Sequence, residues 1–168
     1  IFGASPFLLS EHNGNTLNSS DLECFEKKIS KLNFKKLIYL SSASVYGLTD
    51  IKTPFTETDE LLGVSSYAYE KIYFESIIQN YCRKINASTI ILRIAGLFDL
   101  EQKEKSSKNL LDTIFYQINN EVDDELDIFH SGNQIRNFCE VTFLKKVIGI
   151  LIEGRHQYSI YNLSLINI

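Results

Sequence analysis

The chain contains no methionine and begins with Ile1. Translation products start with methionine, so the sequence is expected to be a processed, truncated or partial form of a longer one. No apolar run approaches the ~18–20 residues that a membrane span needs, and no signal-peptide pattern opens the chain. Cysteine is sparse: Cys24, Cys82 and Cys139 lie far apart, odd in number and without a CxxC. They read as thiols of a reducing compartment, not as a disulfide frame or zinc site. His12, His130 and His156 are equally scattered, so no metal site is expected. Basic charge is short as well. A net charge of −4 argues against a nucleic-acid partner, which would need a basic face. Repeats and low-complexity tracts are absent. A soluble, cytoplasmic globular protein is the expectation, and if the protein is cytosolic the Asn-x-Ser triplets at Asn18, Asn86 and Asn162 carry no meaning.

What is present suits that class. At 168 residues, 44% hydrophobic and 23% charged, the chain can bury a true core, in one domain or slightly more. Ile1–Ser5, "IFGAS", is a short apolar run entering a tight loop. Leu22, Phe25, Ile29 and Leu32 form a helical stripe, with Ser19 or Ser20 as its cap. "KKLIYLSS" is a second buried strand. After a loop containing Pro54, Ser65 or Ser66 opens a helix through about Arg83. "ASTIILRIAG" is a third apolar strand, closed by Gly96.

Strand, helix, strand, helix, strand is the parallel α/β pattern, and near-continuous apolar strands imply a sheet covered on both faces. Beyond Asp99 the pattern changes to a charged loop, a short amphipathic helix in "NLLDTIFYQINN", an acidic run leading into the strand-like "IFH", a helix in "EVTFLKKVIGILIEG" and a strand in "YSIYNLSL". A division near residue 100 is therefore expected, with a smaller α+β lobe after it.

"SSYAYEK" places Tyr67 and Lys71 four residues apart, on one face of the expected helix. A free tyrosine, with a pKa near ~10, is a poor base at neutral pH. A neighbouring ammonium favours the phenolate and lowers that value. With an oxidised nicotinamide beside it, the phenol could take a proton from a sugar hydroxyl as hydride leaves the same carbon. Alone, the spacing is weak. In a chain with 9 tyrosines, a surface lysine laying its stem along the helix is the ordinary reading. Context reverses the balance, because Ser42 ends the strand "KKLIYLSS", where open α/β sheets bind ligands.

Together, "LIYLSSASVYG", "SSYAYEKIYFE", "TIILRIAGLF" and "SGNQIRNFCEV" resemble the extended short-chain dehydrogenase/reductase superfamily, the NAD-dependent nucleotide-sugar epimerases and dehydratases. The resemblance implies a Rossmann-like doubly wound parallel sheet with a small α+β substrate lobe. Residues 1–99 would be the central and C-terminal part of the dinucleotide-binding domain, and residues 100–168 part of the substrate-binding lobe. It implies NAD or NADP as cofactor and a nucleotide sugar as substrate. Ser42, Tyr67 and Lys71 match the catalytic residues, with Lys71 also holding the nicotinamide ribose. Gly3, Ala4, Ser5 and Ser41 match positions along the cofactor. Ser42, Tyr46 and Arg136 match substrate contacts, Arg136 gripping the diphosphate through its guanidinium fork. For Arg136 the alternative is an ion pair with the acidic run Asp123–Asp127. The helices near 19–32 and 66–84 would pair across a homodimer, although their apolar residues could equally be core.

Several positions depart from the pattern. Ala43 and Ser44 stand where dehydratases carry an acidic pair, Asn137 follows the arginine in place of Asp, and Phe143 replaces another Asp. The family's Gly-rich pyrophosphate loop has no counterpart, and "IFGASP" fits the family's fourth strand better than its first. The expectation is the central part of a longer protein, since a sheet ending there would expose a buried-type strand edge. The leading functional expectation is an NAD(P)-dependent nucleotide-sugar epimerase. An NADPH-dependent nucleotide-sugar reductase and a non-catalytic, degenerate relative are the alternatives.

Overall fold

The computed structural model describes residues 19–47, 54–101, 110–121 and 136–167. The expected strand Ile1–Ser5, with Gly3, Ala4 and Ser5, lies outside the described residues, as do "IFH" and the acidic run.

Chain contacts form two compact units, Ile1–Arg93 with Gly154–Asn162, and Ile94–Glu153 with Leu163–Ile168. The sequence suggested a single change near residue 100. The contacts place it after Arg93 and return Gly154–Asn162 to the first unit, because a late strand joins the first sheet.

In the first unit, helix α1 (Ser19–Ile29) is followed by strand β1 (Lys36–Ser42), a single 3-10 turn (Ala43–Tyr46), helix α2 (Ser66–Lys84) and strand β2 (Ser88–Ile94). Ser65 caps α2 by accepting a hydrogen bond from the Ala68 amide at 3.1 Å, satisfying an amide the helix cannot. At the other end Asn86 takes φ 53°, and the Ala87 amide returns to the Cys82 carbonyl at 2.9 Å. That left-handed residue stops the helix and turns the chain into β2.

Strand β5 (Tyr158–Leu163) completes a sheet of order β1-β2-β5. Adjacent strands joined by a crossover helix are the α/β unit expected from the alternation of elements. Every residue of β2 from Thr89 to Ile94 is buried, as its continuous apolar run requires. Phe25 and Ile29 of α1, Phe74, Ile78 and Cys82 of α2, and Leu37, Tyr39 and Ile91 of the sheet share one core. The Phe25 and Phe74 rings meet at 4.3 Å between centroids. Four residues considered for a dimer face, Phe25, Ile29, Phe74 and Ile78, are thus spent inside the subunit, whereas Tyr73 stays exposed.

The second unit holds strand β3 (Gly96–Phe98), helix α3 (Leu110–Asn120), strand β4 (Asn137–Glu140), helix α4 (Val141–Glu153) and strand β6 (Ile166–Asn167). β3 runs parallel to β4 with Leu97 opposite Cys139, and β6 pairs antiparallel with β4. Phe115 of α3 stacks on Phe98 at 5.7 Å, and Phe138 meets Phe98 edge-on at 6.2 Å. A side chain at Gly96 would lie 3.0 Å from the Phe138 ring, which would have to give by a few tenths of an ångström to admit it. Glu140 opens α4: its carboxylate accepts from the Thr142 and Phe143 amides at 2.8 and 2.9 Å.

Candidate active site

The end of β1 and one face of α2 carry the candidate residues. Tyr67, Lys71 and Glu75 follow at successive four-residue steps, so they align along the helix. Each reaches one of the last three residues of β1. Lys71 Nζ donates to the Leu40 carbonyl at 3.1 Å, the Ser41 hydroxyl donates to Glu75 Oε1 at 2.5 Å, and Ser42 lies near enough to the Tyr67 phenol to favour its ionised form.

Ser42 sits where the strand becomes the 3-10 turn, with extended φ and ψ of −139° and 146°. Its oxygen accepts from the Ser44 amide at 3.2 Å and from the Ser44 hydroxyl at 3.0 Å. With those acceptor sites occupied, the Ser42 proton is left to donate. The structure therefore brings Ser42, Tyr67 and Lys71 together. Ser44, which the sequence offered only as a missing acid, orients the serine between them.

Lys71 is 3% exposed, and its Nζ stands 5.2 Å from the Tyr39 ring centroid and 5.5 Å from that of Tyr67. Burial drives its pKa below the ordinary lysine value, while the negative charges of Glu70 and Glu75 pull the other way. Tyr67, 37% exposed, moves upward: burial dominates, Glu70 adds to it, and the Ser42 hydrogen bond opposes both. Lys71 was expected to lower the phenol's pKa. In the structure burial outweighs any such effect, because a phenolate loses more hydration than a phenol does.

Tyr46, expected to line a sugar pocket, packs inside the first unit. It is 1% exposed and stacked on Phe55 at 4.6 Å. Its hydroxyl donates to Asn162 Oδ1 at 2.6 Å and accepts from Arg93 Nη1 at 2.8 Å. Ser41 is likewise buried, with its hydroxyl directed to Glu75. Arg136 stands exposed immediately before β4, in the second unit. Gly3, Ala4 and Ser5 lie outside the described residues.

Two further groups escaped the sequence reading. Arg93 of β2 grips Glu75 through Nε and Nη2, the shortest contact being 2.9 Å, and donates to the Glu57 carbonyl at 3.1 Å. Glu70, nearly buried beside Lys71, has an Oε1 without a hydrogen-bond partner among the described residues, and so does the Tyr39 hydroxyl. The available signal for Glu75 was a charged residue set between Phe74 and Ile78 on an otherwise apolar face. A cleft of about 200 Å³ lies on the far side of this pair, lined by Glu75, Arg93, Gln79 and Arg83, away from Tyr67.

The model of the NAD dependent epimerase/dehydratase family matches residues 23–163. The chain is 27% identical over 141 residues to the dTDP-4-dehydro-6-deoxyglucose reductase of Escherichia coli, covering 83% of this chain and 43% of the relative. Among solved structures it resembles a UDP-N-acetylglucosamine 4-epimerase from Methanobrevibacter ruminantium in complex with UDP-N-acetylmuramic acid. That match has a TM-score of 0.74 at 24% identity and covers 98% of this chain and 53% of the other. A UDP-glucose 4-epimerase from Thermotoga maritima matches with a TM-score of 0.73 at 20% identity, over 88% of this chain and 48% of its own. At such identities the structural matches establish the fold. The chain spans about half the length of these relatives.

Proposed function

The chain belongs to the NAD dependent epimerase/dehydratase family, and from that premise we propose that it carries the catalytic centre of an NAD(P)-dependent nucleotide-sugar epimerase. The observation that carries this reading is Lys71 buried against the Tyr67 ring, 5.5 Å from its centroid, with Ser42 at the strand end beside the same phenol. Ser42 holds the sugar hydroxyl and Tyr67 accepts its proton, while the Lys71 ammonium and the oxidised nicotinamide, when bound, offset the burial that disfavours the phenolate. The donor set suits a nicotinamide ribose: an ammonium has three protons, and Lys71 commits one to the Leu40 carbonyl. The dinucleotide, when bound, takes up and returns the hydride. Gly3, Ala4 and Ser5 would lie along it, and Arg136 would meet the substrate's diphosphate, since a guanidinium fork fits phosphate oxygens. Tyr46 acts by holding Arg93 and Asn162. The exposed Tyr73 on α2 suits a homodimer face, and the buried thiols of Cys82 and Cys139 suit a reducing, cytoplasmic setting.

A second reading, an NADPH-dependent nucleotide-sugar reductase, is favoured by the likeness to the Escherichia coli reductase. The two separate in one experiment on the longest natural protein containing this chain, supplied with a panel of UDP- and dTDP-sugars. An epimerase interconverts sugars with no net change in nicotinamide absorbance. A reductase consumes one NADPH per turnover. Tyr67→Phe should lower either activity by at least ~10²-fold while leaving the circular dichroism spectrum unchanged. Full activity in Tyr67→Phe, or binding without turnover by the unaltered protein, would sink the catalytic reading.

A further inference from the structure

Helix α2 meets the end of β1 at three points, of which the innermost, Ser41 to Glu75, lies away from the reacting groups. Glu75 cannot swing. Arg93 Nε bonds Oε1 at 3.2 Å and Oε2 at 3.3 Å, while Arg93 Nη2 bonds Oε2 at 2.9 Å. Arg93 is itself held by the Tyr46 hydroxyl and the Glu57 carbonyl. The ties run from β2 through Arg93 and Glu75 to Ser41, and the next residue along β1 is Ser42, the serine beside Tyr67. Glu75 and Tyr67 share one helix, so the path closes on itself.

We propose that Glu75 is a positioning residue for the reaction: through Ser41 it fixes the strand end so that the Ser42 hydroxyl stays on the Tyr67 phenol. The proposal rests on the active-site reading of Ser42 and Tyr67. Its physical basis is that a hydroxyl hydrogen bond to a phenol tolerates only a few tenths of an ångström, and a strand end free at Ser41 can pivot by more. A displacement of that kind acts on kcat, since misplacement of about 1 Å can cost up to ~10²-fold in rate.

Ser41→Ala tests the tie without dismantling the ion pair, because Oε1 keeps its bond from Arg93 Nε. Ser41→Thr restores a hydroxyl and serves as the rescue. In the longest natural protein containing this chain, Ser41→Ala should lower kcat about tenfold with KM and nicotinamide affinity unchanged, and Ser41→Thr should recover most of the loss. A second readout needs no substrate. Ionisation of Tyr67, followed by ultraviolet absorbance as the difference from Tyr67→Phe, should shift to higher pH in Ser41→Ala, as the Ser42 bond that lowers it weakens. It should return in Ser41→Thr.

Unchanged Tyr67 ionisation in Ser41→Ala would overturn the proposal. So would weaker cofactor binding with Tyr67 unaltered, since Ser41 would then serve the cofactor directly. If Tyr67→Phe proved fully active, the catalytic reading would fall, yet the Tyr67 titration would still decide whether Glu75 and Ser41 position Ser42.

Discussion

Glu75 and Arg93 form a buried ion pair, 2.9 Å at its shortest, joining helix α2 to strand β2 beneath the Tyr67–Lys71 face. Each side chain is almost wholly withdrawn from water, so the pair is tolerable only because further hydrogen bonds surround it. The Ser41 hydroxyl, the Tyr46 hydroxyl and the Glu57 carbonyl supply them.

Arg93→Met is therefore expected to destabilise the first unit by about 3–5 kcal/mol, because it leaves the Glu75 carboxylate buried without its cation. Denaturant unfolding at neutral pH measures this. A loss comparable to an ordinary surface substitution would mean that Glu75 reaches water in solution.

Gly47 follows the 3-10 turn with φ 83°, and its amide closes on the Ser44 carbonyl at 3.1 Å. A Cβ there would collide with the Leu62 carbonyl. Gly47→Ala should cost about 1–3 kcal/mol and disturb the loop leading from Ser42. A melting temperature equal to that of the unaltered protein would contradict this backbone account.

Hydrogen bonds from the Thr142 amide hold the Glu140 carboxyl below its usual range, with burial opposing and the Phe143 amide assisting. A carboxyl whose folded pKa is depressed contributes stability above its unfolded pKa. That contribution disappears as pH falls through the folded value. Glu140→Gln removes the titration. The unaltered protein should lose more stability than the variant on acidification through the carboxylate range. Parallel pH profiles for the two would show that the cap is not charge-dependent.

Tyr67 should ionise above the range of an ordinary tyrosine in the cofactor-free protein, and two substitutions should move it in opposite directions. Ser42→Ala removes the bond that lowers its pKa and should push ionisation higher, whereas Glu70→Gln removes a charge that raises it and should bring ionisation down. Ultraviolet titration against Tyr67→Phe reads both. Shifts of the same sign would mean that Ser42 and Glu70 do not act on Tyr67 as described.

Local pattern alone made much of this legible. The apolar runs of β1 and β2, the Ser65 cap of α2 and the four-residue spacing of Tyr67 and Lys71 are short-range features, fixed by strand alternation, helical period and capping chemistry. Ser19 and Ser20, expected to cap α1, lie inside it. The motif order singled out Ser42, Tyr67 and Lys71, residues that the fold brings near one another. β4 was harder to see. "NFCE" is brief, and its strand character comes from pairing with β3 and β6, not from its own composition.

Tertiary structure alone decided the fate of the polar side chains. The Tyr46 hydroxyl, which the sequence left without a partner, bridges Arg93 and Asn162, a residue far along the chain. Glu75 looked like one charge among many until burial forced it to find Arg93 and Ser41. Lys71 was expected to lower the phenol's pKa, yet the balance went to burial. The sequence by itself determined which residues face one another along a helix or strand, because that is set within a few residues. Which of them meet across the fold, and how much water they keep, depends on elements distant in the chain, and those two quantities set both the hydrogen-bond partners and the proton affinities.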